Sequence, residues 1–327
     1  MNRILSCYKV LNPHVILDGG VGQGGGGWWA DVVGVRLQQE IAAHLGGQVE
    51  LHVRPHGRDS YDVQPYDPPH KDFDVAYVQL FDLPTHKPAA FVWSILSDYI
   101  RMENTLDQWL AAAEPDLLIS LQYPLIPPKT LPWLPFGVVL PDLVSQCESH
   151  GCRAISLPWF NELNQPVAAI PKPITAMCTG KVTSSYPFRY MASSYLTNLH
   201  RDDIVVSVGR SPDDFALTDE QYQLRLRTSR YFISGGIYDF QIPPKYFEVC
   251  NYGACLVSHG MPLMESCGFI DGETYMQVGY TPGEIGRVIE DEESWRRIGI
   301  AGQRMVHKHH SMAMRAREIA EIIRAMT

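Results

Sequence analysis

Short apolar runs alternate with helical patterns along this chain of 327 residues, and that alternation constrains its fold more than any other feature. A short apolar run is typical of a buried strand, and repeated strand–helix units are typical of a parallel sheet covered by helices. The predicted strands form two series, at 14–17, 49–53, 74–80, 116–121 and 137–140, and then at 174–178, 204–208, 231–233 and 254–258. Helices are predicted at 28–45 and 89–113. The pattern therefore predicts an α/β protein with parallel sheets.

A proline-rich stretch separates the two series of strands. Its prolines are Pro158, Pro166, Pro171 and Pro173. Proline interrupts both helix and strand patterns, so we place an interdomain linker at 158–173. The chain length also agrees with two domains of roughly 150 residues each. We expect an N-terminal domain over 1–160, a second domain over 174–305 and a closing helical segment over 306–327.

The charge of the chain bears on its partners. The formal net charge is −9, whereas surfaces that bind duplex nucleic acid or anionic membranes are usually basic. We therefore expect neither of these partners. A local basic cleft for a small phosphorylated ligand is compatible with the overall charge.

Cysteine usage and hydropathy indicate a cellular compartment. The seven cysteines are odd in number and form no C-x-x-C pair, which favours reduced thiols in the cytoplasm. No run of about eighteen apolar residues occurs, and the first residues lack the apolar core of a signal peptide. We expect a cytoplasmic protein with no integral membrane segment.

The segment from Pro243 to Ser258 carries the clearest candidate site. Prolines at 243 and 244 predict the start of a short helix, Gly253 predicts its end, and an apolar strand follows. Lys245 and Glu248 then lie three apart on one helical face, beside the edge of the sheet where open α/β proteins bind ligands. A cation there holds phosphate, and a carboxylate accepts hydrogen bonds from ribose hydroxyls. The alternative is an exposed pair on a solvated helix face.

This segment resembles a known family. The run from Tyr231 to Ser258 is similar to the donor-binding segment of GT-B glycosyltransferases of the group 1 and spore-maturation (CgeB-like) type. That pattern is a basic residue, an aromatic residue, a glutamate, a helix of small residues and a glycine before an apolar strand. The family commonly has arginine where this chain has Lys245. Many members also carry an acid eight residues before the glutamate, where this chain has Phe240.

The resemblance implies a fold and an activity. The fold would be GT-B, with two Rossmann-like domains facing a cleft and a C-terminal helix crossing back to the first domain. The activity would be transfer of a sugar from a nucleotide diphosphate sugar to an acceptor hydroxyl, with retention at the anomeric carbon. Basic side chains and helix N-termini would stabilise the leaving diphosphate in place of a metal ion. The nucleotide sugar is a co-substrate, and no further cofactor is expected.

Two other segments extend the resemblance through the second half of the chain. Gly180 and Lys181, followed by Arg189, resemble the first strand-to-helix turn of the family's donor domain. Glycine lets a backbone approach an anion, and a helix N-terminus favours negative charge, so we expect Lys181 and Arg189 near the diphosphate. Surface charges are the alternative. After the last apolar strand, backbone amides around Ser258, Gly260 and Met261 are expected to bind phosphate or the transferred sugar.

A glycine tract in the first half is assigned to the acceptor. The residues expected there are Gly24, Gly25, Gly26, Gly27, Trp28 and Trp29. Bare backbone amides can approach the donor or the acceptor, and tryptophan faces can stack on sugars. A flexible surface loop is the alternative for the glycines. Asp142 follows a predicted strand and is the candidate catalytic residue that orients the acceptor hydroxyl; helix capping is its alternative role.

Other interpretations remain open at this stage. Gly20, Gly22 and Gly25 also fit the spacing of a dinucleotide fingerprint, which would indicate an NAD-dependent oxidoreductase. A non-catalytic protein that binds sugars or nucleotides on the same fold is a second alternative, because Phe240 replaces an acid. The run from His307 to His310 lacks matching ligands at zinc spacing, so no metal site is predicted. The acceptor and the donor base are left open.

Overall fold

A computed structural model of the chain describes residues 3–10, 36–55, 64–66, 73–78, 82–85, 87–96, 106–121, 143–161, 166–183, 186–209, 217–236 and 242–327. The chain divides into two compact units. The first unit comprises Met1–Leu157 together with Ala313–Thr327, and the second comprises Pro158–Met312. The boundary at 157/158 lies at the first of the linker prolines.

The first unit is built on a parallel sheet. Its strands are β1 (Arg3–Val10), β2 (Gln48–Pro55), β4 (Val75–Val78), β6 (Phe91–Leu96), β7 (Leu117–Ser120) and β8 (Arg153–Ser156). Their order is β2-β1-β4-β6-β7-β8, and each neighbouring pair is parallel. A separate parallel pair joins β3 (Gln64–Tyr66) to β5 (Asp82–Pro84). The helices of this unit are α1 (Leu37–Leu45), α2 (Leu106–Ala113), α3 (Leu143–Ser149) and the last helix of the chain, α9 (Met312–Met326).

The predicted helix at 89–113 is wrong over its first half, where the structure has β6. This strand is hydrogen-bonded to β4 on one side and to β7 on the other. Val92 and Trp93 are both fully buried, although they point to opposite faces of the sheet. A strand buried on both faces is apolar throughout, so its sequence lacks the alternation that distinguishes it from a buried helix.

Other strands of the first unit depart from the expected positions. The first strand is Arg3–Val10, whereas the strand expected at 14–17 lies outside the described residues. The strand expected at 137–140 lies outside them as well. β8 was not expected, because it is an edge strand whose ends are exposed and it has no continuous apolar run.

The second unit carries a parallel sheet of five strands. They are β9 (Ile174–Lys181), β10 (Ile204–Gly209), β11 (Ser229–Ile233), β12 (Cys255–Ser258) and β13 (Met276–Gln277), in the order β10-β9-β11-β12-β13. The helices are α4 (Pro187–Asn198), α5 (Asp219–Thr228), α6 (Pro244–Asn251), α7 (Pro282–Ile289) and α8 (Ser294–His309). The four strands predicted for this half of the chain are confirmed as β9 to β12.

The strand order shows where the connections of this sheet change direction, which is where ligands bind in open α/β sheets. Of the five strands in this sheet, β9 comes first in the sequence. β10 pairs with one side of β9 and β11 with the other, so Ala176 lies opposite both Ile204 and Tyr231. The connections therefore leave β9 and β11 in opposite directions, which makes the β9/β11 boundary a topological switch point. We call the edge where the strands end the carboxyl edge, and the edge where they begin the amino edge.

Helices cover both faces of this sheet. One face carries the small and apolar side chains of β9, β11 and β12, and it packs against the buried side chains of α4 and α7. Side chains alternate along a strand, so Phe232 points to the other face, and Lys245 of α6 lies on that side. The start of α6 follows from Pro244 in its first turn, and its end follows from Gly253, which adopts φ +63°.

Candidate functional site

The guanidinium of Arg189 lies at the switch point. Nη1 donates to the backbone oxygen of Lys181 at 2.9 Å, and Nη2 donates to Ser234 Oγ and to the backbone oxygen of Gly235, both at 3.3 Å. Arg189 thereby joins the end of β9 to the end of β11. Its side chain is 4% exposed, and its guanidinium also stacks on Tyr186 at 4.3 Å. Among the described residues no carboxylate pairs with this buried cation, and its Nε has no hydrogen-bond partner there.

Gly180 lies next to two cations, Arg189 and Lys245. Its φ of +114° favours glycine. A Cβ atom at this position would lie 3.0 Å from Nη1 of Arg189 and 3.6 Å from Nζ of Lys245. The absence of a side chain is therefore what lets the guanidinium of α4 and the ammonium of α6 approach the same point of the backbone.

The ammonium of Lys245 has few polar contacts. Its Nζ donates to Thr179 Oγ1 at 3.4 Å, and it lies 4.9 Å from the ring centre of Tyr222 and 5.8 Å from that of Phe232. No ion pair of Lys245 occurs within the described part of the chain. A lysine has three donors, so this one retains hydrogen-bonding capacity for an anion.

The electrostatics of the site follow from burial. Burial lowers the pKa of Lys245 to about 8; the negative charge of Glu248 opposes that shift and the positive charge of Arg189 adds to it. Around the Lys245 ammonium the described residues thus place one other cation, Arg189, and one carboxylate, Glu248. This excess of positive charge at a partly desolvated site favours binding of an anion.

Glu248 is half-buried and held by a residue that the sequence analysis did not single out. Its Oε2 accepts a hydrogen bond from the hydroxyl of Tyr222 at 2.9 Å. Tyr222 lies on α5, 26 positions before Glu248, and no motif or spacing links the two residues. The predicted pair of Lys245 and Glu248 is therefore a group of three, in which Tyr222 contacts both members.

The residues expected after β12 occupy different environments. Ser258 is fully buried, and its Oγ shares a short hydrogen bond with the hydroxyl of Tyr246. Met261 is 8% exposed, whereas Gly260 is exposed and approaches Gln277 so closely that a Cβ atom would lie 2.8 Å from Oε1. Of these residues, Gly260 presents its backbone at the surface of the carboxyl edge.

Aromatic rings support the same edge. The ring of His259 packs 4.9 Å from Phe188 and 5.4 Å from Tyr280. Phe188 precedes Arg189 in the first turn of α4, and it contacts Gly235 so closely that a Cβ atom there would lie 2.8 Å from the Phe188 Cβ. These contacts fix the start of α4 against the ends of β11 and β12.

Several expected site residues lie outside the described residues. They are Asp142, Gly20, Gly22, Gly24, Gly25, Gly26, Gly27, Trp28, Trp29 and Phe240. The roles assigned to them stay predictions. The predicted residues that the structure brings together are Gly180, Arg189, Lys245 and Glu248, with the backbone of Lys181.

Three further properties concern the described part of the chain. No group of three or more histidine, cysteine, aspartate or glutamate side chains there is arranged to hold a metal ion. None of the helices described is both long enough and apolar enough to cross a membrane. The cysteines whose side chains are described are buried free thiols, namely Cys147, Cys152, Cys178, Cys250, Cys255 and Cys267.

The chain is similar to solved structures along its whole length. It matches no protein-family model, and its sequence matches no curated protein. Sucrose-phosphate synthase from Thermosynechococcus elongatus superposes with a TM-score of 0.60 at 11% identity, covering 100% of both chains. The apo structure of OtsA gives 0.56 at 10% identity, covering 100% of this chain and 99% of that one. Anabaena HepE in complex with UDP and glucose gives 0.53 at 10% identity, covering 99% and 100%.

At identities near 10% these similarities establish a fold and nothing more specific. The shared architecture is the GT-B fold, in agreement with the two α/β units and their parallel sheets. The expected α/β fold class of GT-B type is thereby confirmed; the cleft between the domains and the crossing of the C-terminal helix stay predictions.

Proposed function

We propose that this chain is a glycosyltransferase that moves a sugar from a nucleotide diphosphate sugar to an acceptor hydroxyl. The observation that carries the proposal is the approach of two cations to one backbone glycine at the switch point. Arg189 and Lys245 meet at Gly180, and neither forms an ion pair within the described residues. In glycosyl transfer the leaving nucleoside diphosphate gains negative charge, and preorganised cations lower the barrier by stabilising it.

The roles of the residues follow from their chemistry. Lys245, the guanidinium of Arg189 and the first turn of α4 would hold the diphosphate without a metal ion. Glu248 would accept hydrogen bonds from the ribose hydroxyls. The exposed backbone of Gly260 would face the transferred sugar. Retention at the anomeric carbon, and membership of the spore-maturation type, rest on the sequence resemblance.

The acceptor side of the proposal depends on the first half of the chain. We assign Asp142 to orienting the acceptor hydroxyl, and the glycines from Gly24 to Gly27 with Trp28 and Trp29 to contacts with the acceptor. The acceptor itself is defined only as a hydroxyl compound. HepE has been solved with UDP-glucose, which makes UDP-sugars the first donors to test.

A donor panel tests the proposal. The purified chain is mixed with UDP-, GDP-, ADP- and dTDP-sugars, and its thermal stability is measured. A donor at a hundredfold its dissociation constant should stabilise the fold by about 2.7 kcal/mol. The selected donor should then release nucleoside diphosphate slowly, at the same rate with and without a chelator.

The outcomes separate three interpretations. Donor stabilisation with metal-independent release agrees with the proposed enzyme. Tight binding without turnover, even with a broad set of hydroxyl acceptors, would favour a non-catalytic nucleotide-binding protein. Stabilisation by NAD alone would favour an oxidoreductase that uses the glycine tract.

A further inference from the structure

Tyr222 contacts both charged residues of the candidate site from a separate helix. Its hydroxyl donates to Oε2 of Glu248 at 2.9 Å, and its ring centre lies 4.9 Å from Nζ of Lys245. Lys245 and Glu248 belong to α6, whereas Tyr222 belongs to α5. One side chain therefore links the phosphate end and the ribose end of the proposed nucleotide site.

The start of α5 fixes the position of Tyr222. Thr218 and Gln221 form a capping box, in which each side chain bonds to the other residue's backbone N–H. The backbone N–H of Tyr222 donates to the backbone oxygen of Thr218 at 2.8 Å, so the tyrosine lies in the first turn. The ring is thus anchored by a well-capped helix end.

The chemistry of Tyr222 fits the two contacts. Burial, reinforced by the nearby charge of Glu248, raises the pKa of the Tyr222 hydroxyl well above its usual value. The hydroxyl therefore stays protonated and remains a donor to the carboxylate. The ring face attracts the ammonium of Lys245 through a cation–π contact. This contact holds the cation without an ion pair that would compete with a bound phosphate.

We propose that Tyr222 is a positioning residue for nucleoside diphosphates, which fixes the Glu248 carboxylate for the ribose and holds the Lys245 ammonium for the phosphates. This role rests on the proposed function of the site. A carboxylate on a half-buried helix face has several rotamers, and a fixed donor on a neighbouring helix selects one of them. The hydroxyl of Tyr222 then acts on the ribose end, and its ring acts on the phosphate end.

The substitution Tyr222→Phe separates the two ends, because it removes the hydroxyl and keeps the ring. The probes are UDP, 2′-deoxy-UDP and pyrophosphate, with the base changed to whichever one the donor panel selects. Binding of UDP should weaken about tenfold, the scale of a lost hydrogen bond to a charged group. Binding of pyrophosphate should change less than about twofold, and the preference for UDP over 2′-deoxy-UDP should shrink.

Two controls exclude a merely structural effect. Tyr231→Phe removes a phenol hydroxyl that donates to the backbone oxygen of Asp291 at 2.5 Å at the amino edge of the same sheet, and it should leave all three affinities unchanged. If Tyr222 acts through Glu248, Tyr222→Phe should weaken UDP binding little further in a Glu248→Gln background. Thermal denaturation shows that each variant is folded.

Each result supports or overturns the role. Unchanged UDP binding in Tyr222→Phe, or an equal loss for UDP and pyrophosphate, would overturn it while leaving the proposed function intact. Additive losses in the double variant would also overturn it. A wild-type chain that binds no nucleoside diphosphate would remove both the role and the proposed function.

Discussion

Lys172 and Lys245 are half-buried lysines of the same unit, and burial lowers the pKa of each to about 8. Lys172 lies at the amino edge of the sheet, where Nζ donates to the backbone oxygens of Arg227 and Tyr252 at 2.9 and 3.0 Å. Lys245 lies at the carboxyl edge, where its one hydrogen bond to a described residue is to the Thr179 hydroxyl, at 3.4 Å. The two lysines are thus desolvated to a similar extent, but their hydrogen-bond partners differ.

The arginines of the two edges differ in the same way. At the amino edge, Arg201 donates to both carboxylate oxygens of Asp203, at 3.0 and 2.8 Å, and also pairs with Glu290. At the carboxyl edge, Arg189 contacts two carbonyls and a hydroxyl and meets no described carboxylate. The comparison teaches that a lowered lysine pKa does not identify a ligand site by itself. The two edges differ instead in how much hydrogen-bonding capacity their cations retain for an anion.

The largest expected effect comes from exchanging the two lysines for methionine. Lys245→Met should weaken nucleoside diphosphate binding about a hundredfold, because it removes a charge-assisted contact, and it should not lower thermal stability. Lys172→Met should leave binding unchanged and destabilise the fold by about 1–3 kcal/mol, because two carbonyls lose their donor. Calorimetry and thermal denaturation measure both quantities. Equal effects of the two variants on binding would contradict the distinction between the edges.

A smaller effect is expected from a methyl group at Gly180. Gly180→Ala places Cβ 3.0 Å from Nη1 of Arg189, so the guanidinium must move and nucleotide binding should weaken about tenfold. Gly272→Ala is the matched control, because Gly272 also has positive φ, at +71°, but its Cβ would meet nothing within 4 Å. Both variants should lose about 1 kcal/mol of stability through backbone strain. Loss of affinity in both would indicate a general defect in folding.

The pKa of Lys245 predicts how binding depends on pH. A bound diphosphate favours the charged ammonium, so affinity should be highest below pH 8 and fall as pH rises through the free-protein pKa of about 8. Isothermal calorimetry between about pH 7 and pH 9.5 should show this fall in the wild type and a flatter profile in Lys245→Met. An identical profile in the two proteins would assign the titration to another group.

Stability of the free protein should depend on pH in the opposite sense. The folded-state pKa values of Lys172 and Lys245 lie near 8, below the ordinary lysine value of 10.5. Between these values the unfolded chain binds more protons, so both lysines make the fold more stable as pH rises through that window. Urea denaturation of the wild type and of each methionine variant separates their contributions; a contribution that falls with pH would contradict the burial of that lysine.

The smallest effect is expected at the paired arginine of the amino edge. Arg201→Gln breaks exposed ion pairs, which are worth less than about 1 kcal/mol, and it should leave nucleotide affinity unchanged. Thermal denaturation and the same binding assay measure both effects. A loss of affinity would show that charge on the amino edge also serves the ligand.

The sequence predicted the second unit better than the first for a physical reason. β9, β11 and β12 are short apolar runs bounded by polar or turn residues, and α6 has a proline at its start and a glycine past its end. Local signals of this kind can be read one segment at a time. β6 gave no such signal, because Phe91–Leu96 is apolar on both faces and the same run fits a buried helix.

The candidate site was predictable where it used local chemistry. Gly180 and Arg189 belong to a strand-to-helix turn, and Lys245 and Glu248 share one short helix. Tyr222 was not predictable, since its contacts depend on how α5 packs beside α6. Ser258 ends β12 at the carboxyl edge, as expected, but its hydroxyl bonds to Tyr246 in the core. The orientation of such a side chain depends on how the elements pack, which cannot be read from the spacing of residues in the sequence.

The discontinuity of the first unit has a consequence for how the protein is made. Residues 158–312 form the second unit as one continuous stretch, whereas the first unit draws on both Met1–Leu157 and Ala313–Thr327. The helix α9 supplies this unit with the buried side chains of Ile319 and Ile323, and Arg324 bonds to the backbone oxygen of His44. The second unit therefore needs no residue from outside its own stretch, whereas the first unit is incomplete until Ala313–Thr327 has been made. The half of the chain that is translated first is therefore expected to be the last to reach its native state.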